Sequence, residues 1–113
     1  MAKYEKQLTG DFDHFLNYLF DGIMNGSASA SYEDGSEWTM NGVRVAVRVF
    51  ERYSWLGSNR VSLNVTLVGN RNQLCLTAIT AGGSQAVFWK MNTLGEESFL
   101  DCVVKLAETY AGR

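Results

Sequence analysis

The sequence is poor in the residues from which catalytic and metal sites are usually built. Its 113 residues contain no proline, one histidine and two cysteines. Cys75 and Cys102 form no CxxC pair, and with His14 they make a poor ligand set for zinc, so we expect no metal site and two reduced thiols. His14 is the only histidine available for Ser-His-Asp or Cys-His chemistry, and its helical neighbours indicate a surface position. We therefore assign no catalytic residue and no cofactor, and we disfavour an enzyme.

The sequence also lacks an excess of charge and any long apolar run. Its net charge is −2 and its pI is about 5.3. Such a balance makes nucleic acid and anionic membranes unfavourable partners for the chain as a whole. No stretch approaches the ~18 apolar residues needed to cross a bilayer, and the charged N-terminus does not resemble a secretory signal. We expect no membrane contact, a cytoplasmic location and a single domain over residues 1–113.

Two segments have the apolar periodicity of an amphipathic helix. In the first, residues 11–26, Asp11 is a natural N-cap and Asn25-Gly26 a natural end. The second begins at Thr93, where TLGE fits a capping box. The predicted buried positions are Phe12, Phe15, Leu16, Leu19, Phe20 and Ile23 in the first helix, and Phe99, Leu100, Val103, Leu106, Ala107 and Tyr110 in the second.

Between the helices the apolar period changes from 3.6 to 2, which predicts strands. The clearest strands cover residues 43–53, 61–68 and 73–80. A further strand is predicted near residues 28–33, with Asp34-Gly35 starting its turn, and a short edge strand over residues 4–8. Gly82-Gly83 fits a tight hairpin turn better than a phosphate-binding loop, because SQAVFW after it has strand character. That turn predicts one more strand, over residues 84–91.

The order of these elements predicts an α+β domain. We expect a single antiparallel sheet of about five strands, with the N-terminal and C-terminal helices packed on one of its faces. A five-residue connection over residues 55–59 would pair Val49 with Val65 and Val47 with Leu67. In that register the odd-numbered valines of the segment VRVAVRVF lie beneath the helices, and its arginines point away from them.

Three segments resemble an uncharacterised bacterial family of short proteins. They are AKYEKQLTGDFDHFLNYL, VRVAVRVFERYSWLGSNRVSLNVTLVG and AITAGGSQAVFWKMNTLGEESFL, and RVFERYS and TAGGSQAVF carry most of the likeness. The family is a numbered domain of unknown function of about 110 residues. The resemblance covers nearly the whole chain. It implies a bacterial, stand-alone cytosolic protein of one domain and implies no activity.

The face predicted to point away from the helices is the candidate site. Arginine interleaved with aromatic residues suits a dimer or partner interface, or the binding of an anion or a base. A solvated sheet face is the alternative, although three large apolar groups would then meet water. The predicted binding residues are Arg44, Arg48, Phe50, Arg52, Asn64, Ile79, Phe88 and Lys90.

These patterns favour a small cytosolic interaction domain that forms a homodimer or binds a protein partner through this face. A carrier of a small apolar or anionic ligand is the second hypothesis. Its cavity would lie between sheet and helices, with a mouth lined by tryptophans and methionines, namely Trp38, Trp55, Trp89, Met40 and Met91. Glu51 lies in the row predicted to face the helices. If buried there, it would be the best single acid or base for an enzyme.

Overall fold

The computed structural model describes residues 1–27, 29–54, 59–82 and 89–112, and the side chains of these residues except 54, 59 and 89–96. The elements are β1 (Ala2–Thr9), α1 (Phe12–Gly26), β2 (Ser31–Met40), β3 (Val43–Ser54), β4 (Asn59–Asn70), β5 (Gln73–Gly82) and α2 (Trp89–Ala111). The five strands form one antiparallel sheet in the order β1-β5-β4-β3-β2, with an N-terminal and a C-terminal helix. The predicted α+β class is confirmed.

Helix α1 forms where its periodicity and cap predict. Asp11 has extended backbone angles, and its carboxylate accepts a hydrogen bond from the His14 amide at 2.9 Å. That bond satisfies one of the free N–H groups of the first turn. The predicted apolar positions are buried, except for Phe20, which is partly exposed. No helix among the described residues is long and apolar enough to cross a membrane.

Helix α2 begins earlier than its capping box predicts. Its first residue is Trp89, so Thr93 lies inside the helix and the predicted cap is wrong. The strand predicted over residues 84–91 is wrong at Trp89, Lys90 and Met91, and residues 83–88 of the predicted hairpin lie outside the described residues. A short apolar run such as AVFW does not distinguish a strand from a helix. The apolar stripe of α2 is confirmed, with four of its six positions buried.

The hairpin between β2 and β3 turns on Asn41-Gly42. Both residues have positive φ, 53° and 81°, and Met40 pairs with Val43 across them. This is the two-residue turn that Asn-Gly favours. Asp34-Gly35, predicted as the turn, instead lies inside β2, where the register shifts between Tyr32 and Asp34. The turn therefore comes later in the sequence than predicted, and β2 is a ten-residue strand.

The register between β3 and β4 differs from the predicted one by a single residue. Val49 pairs with Asn64 and Val47 with Thr66, and Ser54 pairs with Asn59. Four residues therefore connect the two strands, where five were predicted. A one-residue slip moves every side chain of a strand to the opposite face of the sheet. The predicted orientation of β3 is consequently reversed.

The two faces of the sheet are thus defined by residue parity. The helix face comprises the even-numbered residues of β1, β3 and β5, the odd-numbered residues of β4, and the odd-numbered residues of β2 from Gly35. The open face comprises the odd-numbered residues of β1, β3 and β5, the even-numbered residues of β4, and the even-numbered residues of β2 from Asp34. The core lies between the helix face and the two helices. Its sheet side is Leu8, Ala46, Phe50, Val61, Leu63, Val65, Leu67, Leu74, Leu76 and Ala78.

Candidate interaction surface

The residues predicted to form one binding face are divided between the two faces of the sheet. Arg44, Arg48, Phe50 and Arg52 lie on the helix face, and Asn64 and Ile79 lie on the open face. Phe88 lies outside the described residues, and Lys90 belongs to α2 with its side chain not described. The predicted Arg/aromatic face is therefore wrong as a single surface.

Arg44 attaches α1 to the edge of the helix face. Its two terminal nitrogens donate to the two carboxylate oxygens of Asp13, each at 2.9 Å, and its guanidinium lies 4.3 Å from the centroid of the Phe12 ring. The hydrogen bonds from Arg44 lower the pKa of the Asp13 carboxyl. Arginine can occupy this face because its aliphatic stem covers apolar surface while the charge pairs at the margin.

Arg48 is held beneath α1 by three acceptors. It donates to the backbone oxygens of Val47 at 3.0 Å and Ser36 at 3.3 Å, and to the Glu37 carboxylate at 2.8 Å. Its side chain is only 16% exposed, compared with 51% for Glu37. A buried charge is tolerated only when hydrogen bonds or an opposite charge replace the water that it loses. The role of Arg48 is therefore structural, and Glu37 is the exposed charge of the pair.

Phe50 and Arg52 also support the helices. Phe50 is fully buried against Phe20, with ring centroids 5.5 Å apart. Arg52 places its guanidinium 4.5 Å from the centroid of the Phe99 ring of α2. Burial raises the pKa of the nearby Cys102 thiol and so disfavours its thiolate form.

The open face carries the valines that were predicted to form the core. Val43, Val45, Val47 and Val49 are all partly exposed there. Both helices pack on the other face, so nothing in the described part of the chain covers these valines. An antiparallel sheet with one solvated face normally has polar residues on that face. Strand β3 has the opposite arrangement, with its arginines towards the helices and its valines towards solvent.

The valines belong to a wider apolar zone across the open face. Val68 lies beside Val45, and Trp38 lies on its other side. Trp38 and Met40 are 65% and 68% exposed, and Ile79 of β5 is exposed too. Between the apolar groups lie uncharged residues, Thr66, Thr77, Asn64 and Ser62. Interfaces between proteins have this composition, with charged residues depleted at the centre and aromatic residues and methionine enriched.

Charged side chains of the open face lie at its margins. Lys3 and Glu5 are on the edge strand β1, 3.7 Å apart, and Asp34 is on the edge strand β2. Glu51 and Arg60 form an ion pair of 2.7 Å at the end of β3 and β4. Among the described residues, the centre of the face therefore contains no charged side chain, the kind of group with the largest desolvation cost.

Glu51, Trp38 and Met40 also differ from their predicted positions. Glu51 was expected towards the helices but lies on the open face, where its side chain is 29% exposed and paired with Arg60. Trp38 and Met40 were expected at the mouth of a cavity beneath the helices, and they also lie on the open face. Trp55 lies outside the described residues, and the side chains of Trp89 and Met91 are not described.

The concavities of the described surface include one on the open face and one at the edge of the helix layer. A hollow of about 230 Å³ on the open face follows β1 and β5, lined by Glu5, Lys6, Gln7, Cys75, Leu76 and Thr77. A cleft of about 270 Å³ lies at the other edge, where α1 meets β2 and β3, lined by Phe20, Tyr32, Gly35, Ser36, Glu37 and Arg48. The interior gap beside this cleft, between α1 and Phe50, has no room for a water molecule.

The site that sequence reasoning missed is the open face centred on the β3 valines and Trp38. Two signals in the sequence could have indicated it. Asn41-Gly42 between alternating segments is the strongest short hairpin signal, and it extends β2 through Trp38. Phe50, the largest apolar residue of β3, alternates with the valines, so only one of the two sets can lie in the core.

In the described part of the chain, no three His, Cys, Asp or Glu side chains come close enough together to hold a metal ion.

Comparison with known proteins adds a family and no activity. The search of curated proteins and the search of solved structures gave no significant match. A family model matches residues 1–111. Since that match covers almost the whole chain, the protein belongs to the family of unknown function DUF6054.

Proposed function

We propose that this chain is a non-catalytic interaction domain of the bacterial cytosol and that it self-associates through the open face. The observation that supports the proposal is the orientation of β3, whose four valines point away from both helices. Isolated apolar residues on a surface are ordinary, but a contiguous zone of them is typical of an interface. Covering the valines with a second copy would remove that zone from water.

The size of the open face supports a stable dimer. Five strands about 4.8 Å apart give a width of about 24 Å, and nine residues at about 3.3 Å give a length of about 30 Å. Each copy would then bury about 700 Å², or about 1,400 Å² in total, within the range of specific interfaces. Sheets pack face to face in this way in β-sandwiches, about 10 Å apart.

Sedimentation velocity over a dilution series tests the proposal. We expect a dimer at about 100 µM that dissociates on dilution. Val47→Asp places a charge at the centre of the open face and should yield a monomer, as should Ile79→Lys near its edge. Asn17→Asp, an equal charge change on the exposed side of α1, is the matched control and should leave the dimer intact. A wild-type monomer at the highest concentration contradicts the proposal.

A second candidate function, the binding of a small ligand, is favoured by the cleft between α1, β2 and β3. Phe20 and Tyr32 form an aromatic wall with ring centroids 5.2 Å apart, and Glu37 places an exposed carboxylate at the rim. A cavity of about 150 Å³ holds benzene, so 270 Å³ suits a molecule of one or two rings. Native mass spectrometry of freshly purified protein should then detect a bound species that Phe20→Ala loses. A mass equal to that of the chain alone contradicts this candidate.

A further inference from the structure

The open face has opposite features at its two edges. Each cross-strand row contains one residue from each strand, in the order β1, β5, β4, β3, β2. One such row runs from Lys3 on β1 to Asp34 on β2, through Ile79, Asn64 and Val49. Another runs from Gln7 and Cys75, which line the 230 Å³ hollow, through Val68 and Val45 to Trp38. Thus Lys3, Glu5 and a hollow lie at the β1 edge, and Asp34 and a protruding indole lie at the β2 edge.

If the strands of two stacked sheets are aligned, a two-fold axis between the sheets runs either along the strands or across them. If it runs along the strands above β4, it places β1 of one copy over β2 of the other, because β4 is the central strand. Each row of one copy then faces the same row of the other copy, with the order of its residues reversed. Lys3 comes opposite Asp34, and Trp38 comes opposite Gln7 beside the hollow.

An axis across the strands gives a worse match. Glu5 and Ser36 end the row that lies midway between the two rows described above. An axis along this middle row would place β1 over β1, so that Glu5 of one copy meets Glu5 of the other. It would also place Trp38 over Asp34. Like charges facing each other are unfavourable, and Trp38 placed over Asp34 would not reach the hollow beside Cys75.

We propose, resting on the self-association described above, that two copies pack with the two-fold axis along β4, so that Trp38 of each copy occupies the hollow beside Cys75 of the other. The hollow measures about 230 Å³, which is ample for an indole side chain. Trp38 is 65% exposed in the single chain, so its burial removes a large apolar area from water. Tryptophan is also the residue type most enriched at interface hot spots. Lys3 and Asp34 pair at the two margins and define the orientation.

Cross-linking between two differently labelled chains tests this arrangement. One chain carries Trp38→Cys with both native cysteines changed to serine, and the other keeps Cys75 and carries Cys102→Ser. A short bismaleimide with a reach near the ~10 Å spacing of stacked sheets should join position 38 of the first chain to Cys75 of the second. Thr39→Cys, next to Trp38 but on the helix face, replaces Trp38→Cys as the matched control and should give no product. The chain with Cys75 alone should not cross-link to itself, because two strand spacings separate the two copies of Cys75.

A charge exchange between positions 3 and 34 provides a second measurement, in which Trp38 and both cysteines stay unchanged. Lys3→Glu alone and Asp34→Lys alone should each weaken the dimer by about threefold or more, because each change puts like charges at both margins. The double variant should restore the wild-type dissociation constant. A dimer that forms without the 38–75 product and without this rescue overturns the proposed arrangement and leaves self-association standing. A wild-type chain that stays monomeric overturns both.

Discussion

Truncating Phe50 tests the orientation of β3 without reference to any partner. The Phe50 ring is fully buried, with the Phe20 ring 5.5 Å away and the Tyr32 ring 5.8 Å away. The space beside it under α1 has no room for a water molecule. Phe50→Ala therefore removes contacts on several sides and leaves a dry cavity.

The expected cost of Phe50→Ala is about 4 kcal/mol, near the middle of the range of about 3–5 kcal/mol measured for buried phenylalanines. The free energy of unfolding of a native domain is about 5–15 kcal/mol, so the variant loses a large part of its stability. Each kcal/mol lowers the melting temperature of such a domain by about 4 °C. We therefore expect a decrease of about 15 °C.

Urea unfolding at a concentration where the chain is monomeric measures this cost. Val47→Thr is the matched control, because it changes a neighbouring residue of β3 on the open face with nearly the same shape. We expect it to cost less than about 1 kcal/mol, as surface changes do. In the reversed orientation Phe50 would meet solvent and the valine would be buried. A Val47→Thr variant that is less stable than Phe50→Ala would therefore refute the observed register.

Two glycines and one tyrosine provide three further predictions. Gly69→Ala would place a methyl group 2.5 Å from the Phe12 ring, so we expect a loss of about 1–3 kcal/mol in urea unfolding. Gly42→Ala puts a side chain at φ +81° in open space, so backbone strain alone should cost about 1 kcal/mol. Tyr4 donates a short hydrogen bond to Glu108, and burial with this contact raises its pKa from 10.0 to about 12. Because the protonated phenol is favoured in the folded state, its contribution to stability is complete below pH 10 and is lost as the pH rises towards 12. Chemical unfolding across that interval should therefore show a steeper decline for the wild type than for Tyr4→Phe, and parallel curves would contradict the contact.

The periodicities in the sequence predict the elements of the fold better than their register. Helix α1, its cap at Asp11 and the apolar stripe of α2 follow from local patterns, and the structure has all three. The pairing of β3 with β4 depends on whether four or five residues connect them, a difference that local propensity does not determine. Because side chains alternate across a strand, that single residue decides which face meets the helices.

The arginines of β3 explain why the candidate surface was assigned to the wrong face. Charged residues on an alternating strand normally point to solvent, so Arg44 and Arg48 were expected there. Their position on the helix face is stabilised because Asp13 and Glu37 supply carboxylates at the margin of the helix layer. Those partners come from other elements and are 31 and 11 residues away in sequence. Strand periodicity contains no information about them.

The reactivity of Cys75 measures directly whether the open face becomes covered. This thiol is exposed on the open face of the single chain, whereas Cys102 is half-buried on α2 and serves as the internal reference. Alkylation rates of both thiols are followed by mass spectrometry from dilute to concentrated protein. We expect the rate at Cys75 to fall by about tenfold as the dimer forms, while the rate at Cys102 stays constant. A rate at Cys75 that is independent of concentration would contradict the claim that a second copy covers the valine face.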